Sequence, residues 1–281
     1  NGDRIPMTDN VRIIFEPENL NNASPATVSR AGIIYVSDSD LGYEPILICW
    51  MNNRTHDDER TLLQLMIDKY IHEANVLDWL HRATHNALPV TYVHLITNLL
   101  TLLDAFLKRF YQLNTANTNT MNTHTPIELD EQVIERIFLY CSIWSIGGLL
   151  EEGDREKFSN YLVKLASNNV PSFNTDFVET LYDYFLDDED GYKWIRWQAP
   201  EWEYPGIERF NFTTSLIPTI DSVRSEEIIN LVSQYSNSPI LVCGGSGTAK
   251  TSIVLQCTTS YDPSVRTLQK INFSSATTAG M

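Results

Sequence analysis

The stretch SPILVCGGSGTAKTSIVLQ, residues 238–256, decides the fold of the sequence around it. An apolar run at 238–243 is typical of a buried strand, and 250–257 has the composition of a helix. The glycine-rich loop between them matches G-x-x-x-x-G-K-[ST], with an alanine in place of the second glycine. In such a loop, backbone N–H groups form a nest for a phosphate at the N-terminus of the helix. The stretch therefore predicts a nucleotide-binding loop.

The residue types in this loop give each position a task in binding. Lys250 would reach the β- and γ-phosphates, and the Thr251 hydroxyl would hold Mg²⁺, so we expect ATP or ADP with Mg²⁺. Ala249 is compatible with binding if its backbone keeps a negative φ. A chance glycine-rich turn is the alternative, which the flanking strand and helix disfavour. The predicted nucleotide-binding residues are Gly244, Gly245, Ser246, Gly247, Thr248, Ala249, Lys250 and Thr251.

Hydrolysis needs a further group that this loop does not contain. In sites of this kind, a carboxylate from a later strand organises Mg²⁺ and the attacking water. Only thirty residues follow Thr251, which leaves no room for that strand. The run VRIIFE, ending in Glu16, resembles such a strand but precedes the loop by more than 200 residues. We therefore assign it to a different module.

Outward from the loop, the sequence predicts α/β structure at both ends of the chain. A helix at 225–235 precedes the loop and a strand at 268–273 follows it, which is the opening of a parallel α/β sheet. The apolar runs 11–15 and 33–36 also have the character of buried strands. Both α/β pieces look cut in mid-domain.

The middle of the chain has a helical pattern. From about residue 57 to 190, apolar residues recur at steps of three and four. The polar stretch 114–125 predicts an exposed loop, and WIRWQAPEWEYPG at 194–206 predicts a linker. The first apolar stripe contains Leu63, Met66, Tyr70, Ala74, Leu77 and Leu80. Further helices are expected at 91–111, 153–167 and 174–186. Another helix is expected to begin at the capping box that starts with Thr125-Pro126.

Composition and charge narrow the class of protein. A formal net charge of −16 argues against nucleic acid or an anionic membrane as a partner. The four cysteines are far apart, so they are expected to be reduced thiols and not zinc ligands. No signal peptide precedes the first predicted strand, so we expect a soluble intracellular protein.

Two further patterns suggest metal sites and fail on their spacing. His81 and His85 stand four residues apart, but Arg82 replaces the glutamate of a metalloprotease motif, so solvated or capping histidines are favoured. The acidic run 187–190 does not fit a calcium loop, because its first and twelfth positions would be Leu186 and Trp197. We expect that run to be a solvated turn.

Two isolated arginines stand where a guanidinium could reach a phosphate. Arg30 lies in the Ser/Gly-rich segment PATVSRAG, and Arg155 lies at a helix start in GGLLEEGDREKF. Either could instead form a surface salt bridge, and residue chemistry alone leaves both alternatives open.

Three segments resemble one family. NGDRIPMTDNVRIIFEPENLNNASPATVSRAGIIY, WSIGGLLEEGDREKF and IPTIDSVRSEEIINLV are similar to dynein heavy chains, at the junction of their second and third AAA+ modules. The resemblance covers nearly the whole chain. It implies an α/β P-loop AAA+ fold in which a helical small subdomain separates two incomplete α/β pieces. The variant loop GTAKT and the ending INFSSATT look more like axonemal, outer-arm-type heavy chains than like the cytoplasmic one.

The resemblance also implies domain limits and site roles. Arg30 matches an arginine finger that acts in trans on the first module. Glu16 and Arg155 match sensor positions, and the carboxylate of Glu16 puts hydrolysis by the second module in doubt. Pro218 and Thr219, after Ile217, match the adenine pocket of the third module. The implied domains are residues 1–56 (large α/β subdomain of the second module), 57–193 (helical small subdomain) and 194–281 (linker and first half of the third module).

The implied function is that of an ATPase microtubule motor moving towards minus ends, in cytoplasm and cytoskeleton and in the axoneme of a cilium or flagellum. The implied partners are the remaining AAA+ modules of the same chain, microtubules, and dynein intermediate and light chains. The 281 residues alone would be inactive. A stand-alone P-loop switch or scaffold without hydrolysis is the alternative. A reading frame that continues beyond Met281 would favour the motor.

Overall fold

The computed structural model divides the chain into two compact units, residues 1–42 and 43–281. Each unit is considered by itself. The residues that the structure describes are 8–37, 41–119, 127–166, 168–174, 177–188, 191–204, 206, 215–236, 238–259, 261–262, 264–274 and 278.

In the first unit, the described residues 8–37 form one short helix, α1 (Pro25–Arg30). Ser24 caps it by accepting a hydrogen bond from the Thr27 backbone N–H, and Pro25 occupies the first helical position. The predicted strands at 11–15 and 33–36 are not formed; both segments are irregular. A strand exists only through ladder hydrogen bonds to a neighbour, and no described residue of this unit supplies one.

The second unit is mainly helical. Residues 60–112, all of which the structure describes, contain no strand pair, as the helical pattern predicts. A π-helical segment, Asp68–Glu73, continues directly from α3. The helices among its described residues are α2 (Glu44–Asn52), α3 (Asp57–Ile67), α4 (Val76–Ala83), α5 (Tyr92–Asn119), α6 (Glu131–Ser145), α7 (Glu152–Leu165), α8 (Ile220–Tyr235) and α9 (Lys250–Thr259).

One apolar core joins the helices from α2 to α7. Five of these helices each place a fully buried side chain in it: Leu63, Leu77, Leu99, Ile134 and Phe158. Complete burial of such a side chain stabilises the fold by about 1.5–3 kcal/mol. The predicted apolar stripe is confirmed, because all its members except Ala74 are buried and Ala74 packs against the core.

The prediction of a helix at 174–186 is wrong. A single 3₁₀ turn (Leu181–Asp183) leads into strand β1 (Tyr184–Asp187), which pairs antiparallel with β2 (Lys193–Arg196). Gly191 and Tyr192 have positive φ angles of 69° and 56°, which turn the chain back. The hairpin is favoured over a helix because side chains two residues apart on a strand share a face, so Tyr184 and Leu186 can both face the core.

Two helix limits also differ from the prediction. α6 begins at Glu131, where the Asp130 side chain accepts from the Val133 N–H at 2.7 Å, so the predicted start at Thr125-Pro126 is wrong. Those two residues themselves lie outside the described part of the chain. α5 runs through part of the predicted loop, to Asn119. The Asn114 side chain stabilises this extension by bonding both the N–H and the carbonyl of Ile127.

A buried carboxylate ties the π-helical segment to α6. Glu135 accepts hydrogen bonds from Lys69, from Tyr70 at 2.7 Å and from Asn169. Burial alone would raise the pKa of Glu135, but these three hydrogen bonds outweigh it and lower the pKa. The ionised carboxylate therefore stabilises the fold.

Glu135→Gln is expected to lower the free energy of unfolding by about 1–3 kcal/mol at neutral pH. Because the folded pKa is the lower one, this contribution is present above the unfolded value of about 4.3 and is lost as pH falls through the folded pKa. Urea unfolding at several pH values measures it. The control is Glu131→Gln on the same helix, where the side chain is exposed. Equal effects of the two variants would contradict the assignment.

Candidate nucleotide-binding site

The glycine-rich loop lies between α8 and α9, as predicted, but the strands expected around it are not formed. Residues 238–243 and 268–273 are irregular, and Leu241 is 86% exposed. The reason is the same as in the first unit: no described residue forms a ladder with either segment. The loop and the helices on either side of it, α8 and α9, are therefore the parts of the predicted unit that the structure confirms.

Side-chain contacts fold the loop around one carbonyl. The Thr248 hydroxyl donates to the Gly245 carbonyl at 3.0 Å, and the Lys250 ammonium donates to the same oxygen. The Lys250 Nζ also lies 3.3 Å from Thr248 Oγ1. A Cβ at Gly244 would lie 2.8 Å from Thr248 Oγ1, so this closure needs glycine there. The contacts hold the lysine over the loop.

The backbone of the loop differs from the expectation at one residue. Gly247 has a φ of +79°, which glycine adopts freely, but Ala249 has a φ of +58°. The condition set from the sequence, a negative φ at Ala249, is therefore not met. A left-handed conformation costs a residue with a Cβ about 1–2 kcal/mol. The loop carries backbone strain at the position where the motif has glycine.

The geometry fits a bound phosphate. The first N–H groups of α9 have no partner within the helix and carry its positive dipole end, while the Lys250 ammonium lies over the loop that precedes them. The Thr251 residue is exposed in the first turn of the same helix, where its hydroxyl can serve as one ligand of Mg²⁺. Among the described residues, no group of three His, Cys, Asp or Glu side chains is arranged to hold a metal ion.

Helix α8 positions the loop helix. Its Glu226 accepts a hydrogen bond from Gln256 of α9 at 2.9 Å. Cys257, next along α9, is buried, and burial raises the pKa of its thiol to about 11. On the side that faces the core, Leu231 of α8 is 2% exposed and packs into the helical core. The loop helix is thus fixed, through α8, to the helical part of the chain.

Ion pairs of two arginines fix α8 to its neighbours in the same unit. Arg109 of α5 pairs with Glu227 of α8 and, at 2.6 Å, with Asp188 after β1. Arg224 of α8 pairs with Asp183 at 2.6 Å. The prediction of a solvated turn at 187–190 is therefore wrong for Asp188, whose side chain is paired with Arg109. Sequence reasoning missed these pairs, and the signal that could have found them was Arg109, a charged residue between the apolar side chains of Phe106 and Phe110.

The predicted adenine-pocket residues lie at the N-terminus of α8. The Thr219 N–H donates to the Ser222 hydroxyl at 2.9 Å, and the Thr219 hydroxyl accepts from the Ser222 N–H at 3.2 Å. This capping box occupies the polar groups of Thr219. Ile217 is 52% exposed, so it and Pro218 are left to supply apolar contact.

Arg155 contacts backbone carbonyls and a ring. Its Nε donates to the Leu150 carbonyl at 2.9 Å and its Nη2 to the Gly148 carbonyl at 3.3 Å. The guanidinium lies 5.5 Å from the centre of the Tyr182 ring. These contacts hold Arg155 against the turn before α7, in a fixed orientation.

The remaining residues that the sequence suggested as site residues lie at exposed or irregular positions or beyond a helix end. Arg30 is the last residue of α1 and is exposed, and Glu16 is exposed in an irregular segment of the same unit. His81 lies within α4, whereas His85 follows its end, so the two histidines do not share a helix face. The backbone N–H of His85 donates to Asp154 at 2.8 Å.

A cavity of about 1040 Å³ lies apart from the loop, between the α2–α3 turn, α5 and the end of α8. Its inner wall is a paired network: Arg54 contacts Glu59 and Asp104, and Trp50 donates to Asp104 at 3.0 Å. Burial raises the pKa of Tyr111 beside it. The network therefore joins α2, α3 and α5.

None of the helices that the structure describes is long and apolar enough to cross a membrane.

Comparison with known proteins identifies what the chain is similar to. Residues 63–199 match the family model "Dynein heavy chain AAA lid domain", and 204–281 match "P-loop containing dynein motor region". The chain is 36% identical over its whole length to "Dynein gamma chain, flagellar outer arm" of Chlamydomonas reinhardtii. It is 32% identical over 99% of its length to "Dynein axonemal heavy chain 5" of Rattus norvegicus. It spans 6% and 8% of the lengths of these two relatives.

Proposed function

Because this chain belongs to the dynein heavy chain family, we propose that it serves in an ATP-driven motor ring that moves along microtubules towards their minus ends. The chain has an AAA+ fold with a helical small subdomain. We assign residues 1–56 to the large subdomain of the second module, 57–193 to its small subdomain, and 194–281 to the linker and the third module.

The observation that carries this proposal is the loop at 244–251 within the segment that matches the motor region. Lys250 lies over the loop at the start of α9, so it can neutralise the β- and γ-phosphates of ATP or ADP. The Thr251 hydroxyl would hold Mg²⁺. The bound nucleotide supplies the phosphoanhydride bond whose cleavage drives movement.

The other roles follow the same assignment. Arg30 acts as a finger on the nucleotide of the first module, since an exposed guanidinium at a helix end can reach a neighbouring module. Arg155, held by two carbonyls and a ring, acts as the sensor of the second module's nucleotide. Glu16 occupies the second module's other sensor position, and Pro218 and Thr219 border the adenine of the third.

The relatives suggest where the protein works and with what. Two of them are named for the flagellar outer arm and the axoneme, which supports placing this protein in the cytoskeleton of a cilium or flagellum. Its partners would be the other AAA+ modules of the heavy chain, microtubules, and intermediate and light chains. The match to the lid domain favours the motor over a stand-alone P-loop switch.

Microtubule-dependent ATPase activity tests this function. The complete heavy chain that contains this sequence is expected to hydrolyse ATP faster when microtubules are added, because track binding and turnover are coupled in a motor. Steady-state phosphate release, with and without microtubules, measures it, and actin filaments are the control. An ATPase rate that microtubules leave unchanged would contradict the motor and favour a switch.

A further inference from the structure

Ala249 has a backbone conformation that its side chain disfavours. Three non-glycine residues of the described chain have positive φ: Asn75, Tyr192 and Ala249. Asparagine tolerates this region because its short polar side chain bonds locally, and Tyr192 is held by burial and by its N–H bond to the Asp187 carbonyl. Ala249 has neither support, since it is exposed and its methyl group makes no hydrogen bond.

The position of Ala249 makes this strain matter for ligand binding. Its carbonyl accepts the Ile253 N–H at 2.9 Å, so it forms the joint between the loop and the first turn of α9. The φ at this joint sets the direction of the free N–H groups of α9 relative to the loop that Lys250 closes. A negative φ at Ala249, which alanine prefers, would change that direction.

We propose that Ala249 sets the affinity of this loop for nucleoside di- and triphosphates, by lowering the population of the backbone that receives the phosphates. The inference rests on the proposed function of the loop. Affinity falls in proportion to the fraction of the protein in the binding-competent state. Because Ala249 is exposed, packing does not offset the strain, so alanine populates this conformation less than glycine would. The alanine thus gives weaker binding and faster release than glycine at the same place.

A series at one position tests the proposal. An ADP analogue is photo-crosslinked, over a range of concentrations, to the complete heavy chain and to its Ala249→Gly, Ala249→Asn and Ala249→Val variants, and labelling of the 244–251 peptide gives the affinity of this loop. Glycine removes the strain, so Ala249→Gly should bind about three to ten times more tightly, with a slower dissociation rate. Asparagine should lie between glycine and alanine, and the β-branched valine should bind most weakly.

The controls separate this inference from the function on which it rests. Ala31→Gly makes the same substitution at an exposed residue with a φ of −86°, and it should leave the affinity unchanged. If Lys250→Ala loses binding while Ala249→Gly binds like the parent chain, the inference is wrong and the loop still binds nucleotide. If Lys250→Ala binds like the parent, or if neither the parent nor Ala249→Gly binds, both the inference and the proposed function fail.

Discussion

Replacing Arg30 by alanine is expected to lower the ATPase rate of the complete heavy chain at least about tenfold. An arginine finger meets negative charge that grows on the γ-phosphate during transfer, and such fingers contribute about 10³–10⁵ in rate. A ring with several nucleotide sites retains part of the activity through its other modules, so we set the lower bound well below that range. Packing alone could not produce such a loss, because Arg30 is exposed.

Binding and rate should respond differently to the loss of Arg30. The guanidinium acts more strongly on the transition state than on the ground state, so nucleotide affinity at the first module should change little while kcat falls. Arg30→Lys should restore little activity, because an ammonium lacks the planar fork of donors. Steady-state ATPase and microtubule gliding of the variants measure both effects.

The control for Arg30 is Arg60→Ala. Arg60 is an exposed helix residue paired with Asp57 at 2.7 Å, and such a surface pair contributes about 0–1 kcal/mol to stability. Its loss should leave turnover and gliding unchanged. If Arg30→Ala also turns over ATP at the normal rate, Arg30 is a surface residue of its own unit and the finger must be sought elsewhere.

Replacing Lys250 by alanine is expected to abolish nucleotide binding at the loop of residues 244–251. The ammonium is the charge that faces the β- and γ-phosphates, and its bond to the Gly245 carbonyl also holds the loop closed. Both contributions disappear together, so the phosphates would lose their counter-ion and part of their preformed nest.

Photo-crosslinking of an ATP analogue to the complete heavy chain, followed by mapping of the labelled peptide, measures this loss. The control is Lys270→Ala, an exposed lysine beyond α9 that should leave labelling intact. Thermal unfolding of both variants shows whether the protein is still folded. Unchanged labelling of the 244–251 peptide in Lys250→Ala would remove the loop from the list of nucleotide sites.

The sequence predicted the helical part of the chain well because its signal is local. Side chains three and four residues apart share a helix face, so the stripe from Leu63 to Leu80 could be assigned without knowledge of any partner. The loop between α8 and α9 was predictable for the same reason. Its glycines, lysine and threonine have tasks that depend on spacing within a few residues.

The errors arose where a distant contact decides between local alternatives. The segment 174–186 has helical periodicity, yet Tyr184 and Leu186 enter the core from a strand. The extension of α5 to Asn119 depends on hydrogen bonds between Asn114 and Ile127. The strands predicted from apolar runs such as 11–15 need neighbours that no described residue provides.

For this protein, the sequence by itself determined the helical pattern, the family and the glycine-rich loop, because each of these depends on residues that are close together along the chain. Only the tertiary structure decided that Arg109 and Arg224 fix α8 to the helical core, and that Ala249 takes a positive φ. Ion pairs between residues far apart in sequence depend on how helices pack. The φ of Ala249 depends on the directions that the loop and α9 take in the fold, and the residue type at position 249 does not reveal those directions.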